Sequence, residues 1–210
     1  MPEEEAQTAL GVPRETLRRL HAFAALLKAE NERQNLVSRR SIDALWGRHI
    51  YDSAQLVRFA PADARTWLDL GTGAGFPGLI VAALHEARVT MIESRKLRVD
   101  FLRRAAVLLG VDAKVEIVCA RVESLPDAAY DVISARAFAP LDKLLALGER
   151  FSTAETVWIL PKGRNANTEL EAARASWQGS YRLEPSLTDA DARIIVGRGV
   201  QRRAKGKRSR

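Results

Sequence analysis

The pattern of apolar and polar positions splits the chain into two rhythms. From Pro13 to Lys28 the apolar residues Leu17, Leu20, Phe23, Ala24 and Leu27 recur at helical spacing, and Pro13 suits a first helical turn. A second helical stretch begins at Ser41 as N-cap, with Asp43 in its first turn. It carries Leu45, Trp46, His49, Leu56 and Phe59 and closes before Pro61. Residues 1–62 are therefore read as a helical extension packed on a main domain. From residue 63 short strands and helices alternate. Strands are predicted over Thr66–Leu70, Arg88–Glu93, Lys114–Ala120, Tyr130–Ser134 and Thr156–Pro161. Helices are predicted over Phe76–His85, Arg95–Leu109 with Ser94 as N-cap, Leu141–Phe151 and Asn167–Trp177. Tyr181–Leu187 and Ala192–Gly197 read as a closing antiparallel pair. The alternation implies an α/β fold with a mostly parallel sheet covered on both faces. Ligands of such sheets bind beyond the carboxyl ends of the strands, where strand order reverses.

Charge changes this picture at one place. The formal net charge is +7, from 33 lysines and arginines against 26 acids. Residues 201–210 hold six of those cations (Arg202, Arg203, Lys205, Lys207, Arg208 and Arg210) and no acid, leaving a body of nearly balanced charge. The main domain is bounded at 63–200, and 201–210 is expected to be a disordered basic tail that grips phosphates without sequence preference. A solubilising tail is the plainer alternative. The longest apolar runs, such as Leu79–Leu84, fall far short of the roughly 18 residues a membrane span needs. The start is acidic, unlike a secretory signal. Cys119 is the single cysteine, which excludes an internal disulfide or a cysteine-based zinc site and is read as a small core residue. No metal-ligating constellation stands out, and the chain reads as soluble and cytoplasmic.

Candidate chemistry starts after the first strand, at Asp69-Leu-Gly71-Thr-Gly73-Ala-Gly75-Phe76-Pro77-Gly78. Glycines there permit a sharp turn and a close approach of ligand to backbone. Gly73-x-Gly75-x-x-Gly78, with Glu93 twenty residues after Gly73, formally fits a dinucleotide pattern. Gly71-x-Gly73-x-Gly75 behind Asp69 instead resembles the first motif of S-adenosyl-L-methionine (SAM) methyltransferases. The second reading is favoured, because Asp69 at the strand end suits a cationic ligand and would repel a diphosphate. Glu93 suits the ribose hydroxyls of either cofactor. The acceptor is narrowed by absences. Ser134-Ala-Arg136-Ala-Phe138-Ala-Pro140 lacks the Asn/Asp-Pro-Pro-aromatic turn typical of exocyclic amine methylation, and no cysteine sits there for attack at a pyrimidine carbon. An acceptor that is already nucleophilic, such as guanine N7, needs neither device.

At this point several segments match a known family together. They are Asn35-Leu36, His49-x-x-Asp52-Ser53, the glycine loop, Glu93-Ser94, Lys96, Arg98-x-x-Phe101-Leu102, Arg121-Val122-Glu123, Ser134-Ala-Arg136-Ala-Phe138 and Lys162-Gly163. The chain resembles the glucose-inhibited division protein B family, also called ribosomal RNA small subunit methyltransferase G. The resemblance implies a Rossmann-like SAM-dependent methyltransferase fold with seven strands, the last antiparallel. It implies SAM as cofactor, 16S rRNA or the small ribosomal subunit as partner, and guanine N7 as acceptor. A monomer is expected. By the same resemblance Gly71 and Phe76 contact the cofactor through their loop, Val122 and Glu123 surround its adenine, and Arg136 reaches the cofactor carboxylate or the target base. Asp69, Gly73, Gly75 and Glu93 complete the expected cofactor set. Arg136 and Lys162 are the candidates for orienting the reactants, with Lys162 reaching RNA phosphate or guanine O6.

Plainer readings stand beside these. His49, Asp52 and Ser53 share a helix face and can simply dock that helix. His21 and His85 read as ordinary helix residues. Lys162 can be a solvated lysine, Arg136 a surface ion pair, and Arg121 a partner of Glu123. Arg95, Lys96 and Arg98 can be a solvated helix face. Phe138 can stack on an unpaired base or pack in the core. Two rival functions remain open: a small-molecule methyltransferase, and an RNA-binding protein with a vestigial fold.

Overall fold

A computed structural model describes residues 2–204. Its centre is a seven-stranded sheet of β1 (Thr66–Leu70), β2 (Arg88–Glu93), β3 (Val115–Cys119), β4 (Val132–Ser134), β5 (Val157–Lys162), β6 (Trp177–Pro185) and β7 (Arg193–Arg202). The order across the sheet is β3-β2-β1-β4-β5-β7-β6. The ladders from β3 to β5 are parallel, and β7 runs antiparallel to both β5 and β6. The expected mostly parallel sheet with an antiparallel last strand is what forms.

Period-two alternation assigns the two faces. Trp67, Val89, Met91, Val132, Ile159, Ile194 and Val196 meet one apolar cluster, while Leu68, Leu70, Ile92, Ile133, Trp158, Leu160 and Ile195 meet the other. The second face is covered by α7 (Leu141–Gly148) and α8 (Ala166–Ala173). The first is covered by α5 (Gly78–Leu84) and α6 (Lys96–Leu109), and beyond them by the N-terminal helices. These are α1 (Glu3–Ala9), α2 (Arg14–Gln34), α3 (Arg39–Ile42), a π-helical run at Trp46–Tyr51, α4 (Asp52–Ala54) and a 3-10 segment at Gln55–Phe59. Phe23 of α2 lies edge-on to Phe76 of the glycine loop, ring centroids 5.6 Å apart, and 6.4 Å from Phe101 of α6. Arg104 of α6 meets Glu30 of α2 at 2.6 Å. The extension therefore shares one core with the sheet domain.

Several expectations change. The single helix from Ser41 to Phe59 is broken into π, α and 3-10 segments, and its cap is Ser38, whose hydroxyl accepts from the Ser41 N–H. α1 escaped periodicity because Ala6 is its one buried residue; what holds it is the Glu3 carboxylate, which accepts from the N–H groups of Trp46 and Gly47. Ser94 does not cap α6. Glu93 reaches the backbone first and accepts from the Arg95 N–H at 2.8 Å. Trp177 opens β6 instead of ending a helix, its indole N–H donating to Asp142. Cys119 is exposed because it ends β3, the edge strand of the sheet. The expected tail starts inside the sheet: β7 runs to Arg202, and the Arg203 N–H donates to the Ser176 carbonyl. Lys205, Lys207, Arg208 and Arg210 lie outside the described residues. Among the described residues no helix is long and apolar enough to cross a membrane.

The Phe23 contact gives a stability prediction. Phe23→Ala removes the aromatic link between α2, the glycine loop and α6, and should cost about 3–5 kcal/mol in urea unfolding. A loss below about 1 kcal/mol would show that the extension is not part of the main core.

Candidate functional site

β1 is flanked by β2 on one side and β4 on the other, so its carboxyl end delivers the glycine loop to the point where strand order reverses. Gly71, Gly73 and Gly75 have φ of 68°, 57° and 92°, a region costly for any residue with a Cβ. The Thr72 N–H donates to the Ile92 carbonyl and ties the loop to β2. A Cβ at Gly73 would meet no atom nearer than 3.9 Å, so this backbone is bare. A Cβ at Gly71 would run into the ring of Phe138.

Asp69 does not do what its position in the sequence suggests. It is fully buried: one carboxylate oxygen accepts from the Ser134 hydroxyl at 2.9 Å and the other from the Gly78 N–H at 3.0 Å. Ser134 in turn accepts from the indole N–H of Trp67. Burial pushes the Asp69 pKa up, against those hydrogen bonds. The group closes the loop onto the start of α5 and presents no face to a ligand. Phe76 is likewise a core side chain, leaving only its backbone to the loop.

Two clefts open at this end of the sheet. The smaller, about 470 Å³, is bordered by Gly71, Glu93, Arg98, Val122, Glu123 and Phe138. Glu93 sits at the end of β2, nearly buried, with its second oxygen 3.6 Å from the Arg98 guanidinium. Val122 and Glu123 lie on a 3-10 turn after β3, the first buried and the second exposed. Gly73 and Gly75 shape the loop without lining this cleft. Arg98 is the residue that the periodicity reading missed. It starts α6 like any surface cation, and only the ladder that places Glu93 beside it turns it inward. Arg121 borders the same cleft and makes no ion pair with Glu123 among the described residues.

The larger cleft, about 900 Å³, is bordered by Arg48, His49, Asp52, Arg136, Lys162, Glu169 and the β6–β7 hairpin. Arg136 donates to the Arg48 carbonyl at 3.1 Å, lies 2.8 Å from His49 Nδ1 and is 3.5 Å from Asp52. A guanidinium only donates, so Nδ1 accepts and the His49 proton resides on Nε2, which is buried with no partner among the described residues. His49 stacks on Phe76 at 5.1 Å, and the Arg136 guanidinium lies over the same ring at 5.1 Å. Asp52 also accepts from Gln55 and from Thr188 of the hairpin, and Ser53 donates to the His49 carbonyl. His49 and Asp52 thus dock the extension and fix Arg136, while Ser53 bonds only back within its own helical segment. Lys162 is neither solvated nor free: its ammonium donates to the Ala139 carbonyl and to Glu169, both at 2.9 Å. His21 packs on Trp46, and His85 accepts from the Ala87 N–H.

The residues 137–139 after β4 line both clefts and form the wall between them. A ligand held at the glycine loop and another in the larger cleft would face each other across Phe138. Among the described residues no group of His, Cys, Asp and Glu could hold a metal ion.

Comparison with known proteins gives a consistent neighbourhood. The family model described as rRNA small subunit methyltransferase G matches residues 16–194. A protein of Rhizorhabdus wittichii named ribosomal RNA small subunit methyltransferase G is 49% identical, covering 100% of this chain and 99% of its own. One of the same name from Zymomonas mobilis is 51% identical, covering 89% and 87%. Among solved structures, an O-methyltransferase from Bacillus cereus in complex with SAH has a TM-score of 0.63 at 14% identity, covering 93% of this chain and 96% of that one. It shares the fold.

His49 sets a pH dependence. Burial, then the charges of Arg136 and Arg48, push its pKa down to about 3. Below about pH 6.5 the unfolded chain takes up a proton that the folded ring refuses, so stability is complete above that pH and declines as pH falls toward 3. The urea midpoint should fall more steeply between pH 7 and pH 5 for the wild type than for His49→Gln. Parallel slopes would contradict the assignment.

Proposed function

Because the chain belongs to the rRNA small subunit methyltransferase G family, we propose that it transfers a methyl group from SAM to N7 of a guanine in 16S rRNA. The observation that carries this reading is the pair of clefts sharing the wall at residues 137–139, one over the glycine loop and one bordered by Arg48 and Arg136 together with Asp52 and Glu169. The smaller cleft fits the cofactor. Gly71 borders it, the backbone of Gly73 beside it is bare, and this loop, shaped by Gly75, suits the amino-acid end of SAM, while the Glu93 carboxylate accepts ribose hydroxyls. Val122 and Glu123 border the adenine, and Phe76 contributes only through its backbone. Bound SAM supplies a methyl group made electrophilic by its sulfonium.

The chain's own residues then have one task, alignment. Guanine N7 carries a lone pair and loses no proton on methylation, so no general base is required. The loop after β4 accordingly lacks the polar turn that exocyclic amines call for, and Cys119 lies on the far edge strand. Arg136 lines the larger cleft and is held by His49 and Asp52, which favours the acceptor over the cofactor carboxylate. A guanidinium donor to guanine O6 would leave N7 free to attack. The substrate puts the protein in the bacterial cytoplasm, on naked rRNA or on the small subunit.

Incubation with labelled SAM and unmodified small subunits should yield 7-methylguanosine; its absence would refute the reading. Arg136→Met should lower kcat/KM for subunits by about 100-fold or more while changing S-adenosylhomocysteine affinity by less than about threefold. Gly71→Ala should weaken the hold on the cofactor. Its Cβ meets Phe138 and its φ is strained, so calorimetry should show affinity for S-adenosylhomocysteine lowered at least about tenfold.

A further inference from the structure

The wall between the clefts hangs on two anchors. One is Arg136, fixed by Arg48 and His49. The other surrounds Pro140. On its N-terminal side the Ala139 carbonyl accepts from the Lys162 ammonium at 2.9 Å. On its C-terminal side the Leu141 N–H, the first of α7, donates to Glu169 Oε2 at 2.9 Å. The same oxygen accepts from Lys162 at 2.9 Å, so one ion pair staples both flanks of the proline. Lys162 reaches this place from the end of β5 and Glu169 from α8. The Lys162 side chain is 11% exposed, which leaves its charge turned inward rather than toward a ligand.

Between the anchors the backbone is not relaxed. Ala137 has φ of 51°, a left-handed conformation that is costly for an alanine and persists only where the surroundings enforce it. Phe138 follows and presses its ring against Gly71. The position of that ring sets the separation of the two clefts, and small displacements there are expensive for a reaction that depends on alignment.

We propose that Lys162 and Glu169 are positioning residues that hold the Ala137–Phe138 wall at its working place, acting through the Ala139 carbonyl and the Leu141 N–H without touching RNA. This replaces the direct phosphate or O6 contact expected for Lys162, gives Glu169 a role that nothing in its sequence context suggests, and rests on the methyltransferase reading above. A cation that grips RNA and one that fixes a loop leave different kinetic signatures. The first enters KM and the salt dependence; the second enters kcat.

The test is a double-mutant cycle of Lys162→Met and Glu169→Gln on unmodified small subunits with labelled SAM. Each single variant should lower kcat at least about tenfold, with KM for subunits within about threefold of wild type and the slope of log KM against log salt unchanged. The double variant should be no worse than the worse single one, because both act through one staple. Amide exchange over residues 136–141, read by mass spectrometry, should quicken in all three, and this readout does not depend on turnover. Wild-type kcat in Glu169→Gln, or a raised KM with a salt slope shallower by about one in Lys162→Met alone, would overturn the proposal. Unchanged exchange in both singles would also overturn it. Absence of 7-methylguanosine with the wild type would instead refute the methyltransferase reading, leaving the exchange result to decide whether the staple holds the loop.

Discussion

A buried carboxylate organises the business end of this molecule. Asp69, next to last in β1, has no exposed surface, and a carboxyl group in that position is tolerable only if its oxygens are met. They are met by Ser134 at the end of β4 and by the Gly78 N–H at the start of α5, with Trp67 completing the chain through Ser134. Three elements are thereby locked at the point where strand order reverses. The turn between Asp69 and Gly78 has to be made in eight residues beneath a ligand site, which is why glycines with positive φ occupy its bends. A Cβ at Gly78 would come within 2.9 Å of the Asp69 carboxylate, so that glycine is required by the lock itself.

Around this lock the rest of the site is a set of braces. Phe76, carried by the loop, joins Phe23 and His49 of the extension to the Arg136 guanidinium. The N-terminal helices are thus part of the site's mechanics, since they supply the acceptors that aim Arg136 and the His49 ring that stacks on Phe76. On the other flank Lys162 and Glu169 secure Pro140. The wall of residues 137–139 stands between these braces, with Phe138 against the first glycine. A displacement reaction with a ready nucleophile asks for little acid–base chemistry, and the polar side chains here are accordingly spent on holding parts in place.

The strands, their order of appearance and the ligand end were legible in the sequence because they rest on local signals: period-two alternation, apolar runs and a glycine cluster after the first strand. Glu93 was readable as the end of a predicted strand, whereas Val122, on the turn after β3, entered only through the family resemblance. What was not legible depends on partners distant in the chain. The inward turn of Arg98 requires Glu93, the burial of Asp69 requires Ser134 sixty-five residues away, and the engagement of Lys162 requires Ala139 and Glu169. α1 escaped because a long-range carboxylate, Glu3, fixes it to Trp46. Cys119 looked like core because strand-like sequence does not say which strand will be an edge. The extra reach of β7 to Arg202 was hidden by basic composition, which signalled a tail before the ladder to Trp177 could be seen.

The most direct measurement is difference density for S-adenosylhomocysteine bound to the full chain. The ligand should occupy the smaller cleft over Gly71, its ribose against Glu93 and its adenine beside Val122, with the larger cleft left open for the acceptor. Density in the larger cleft beside Lys162 and Arg136, or none at the glycine loop under saturating ligand, would contradict the division of labour between the two.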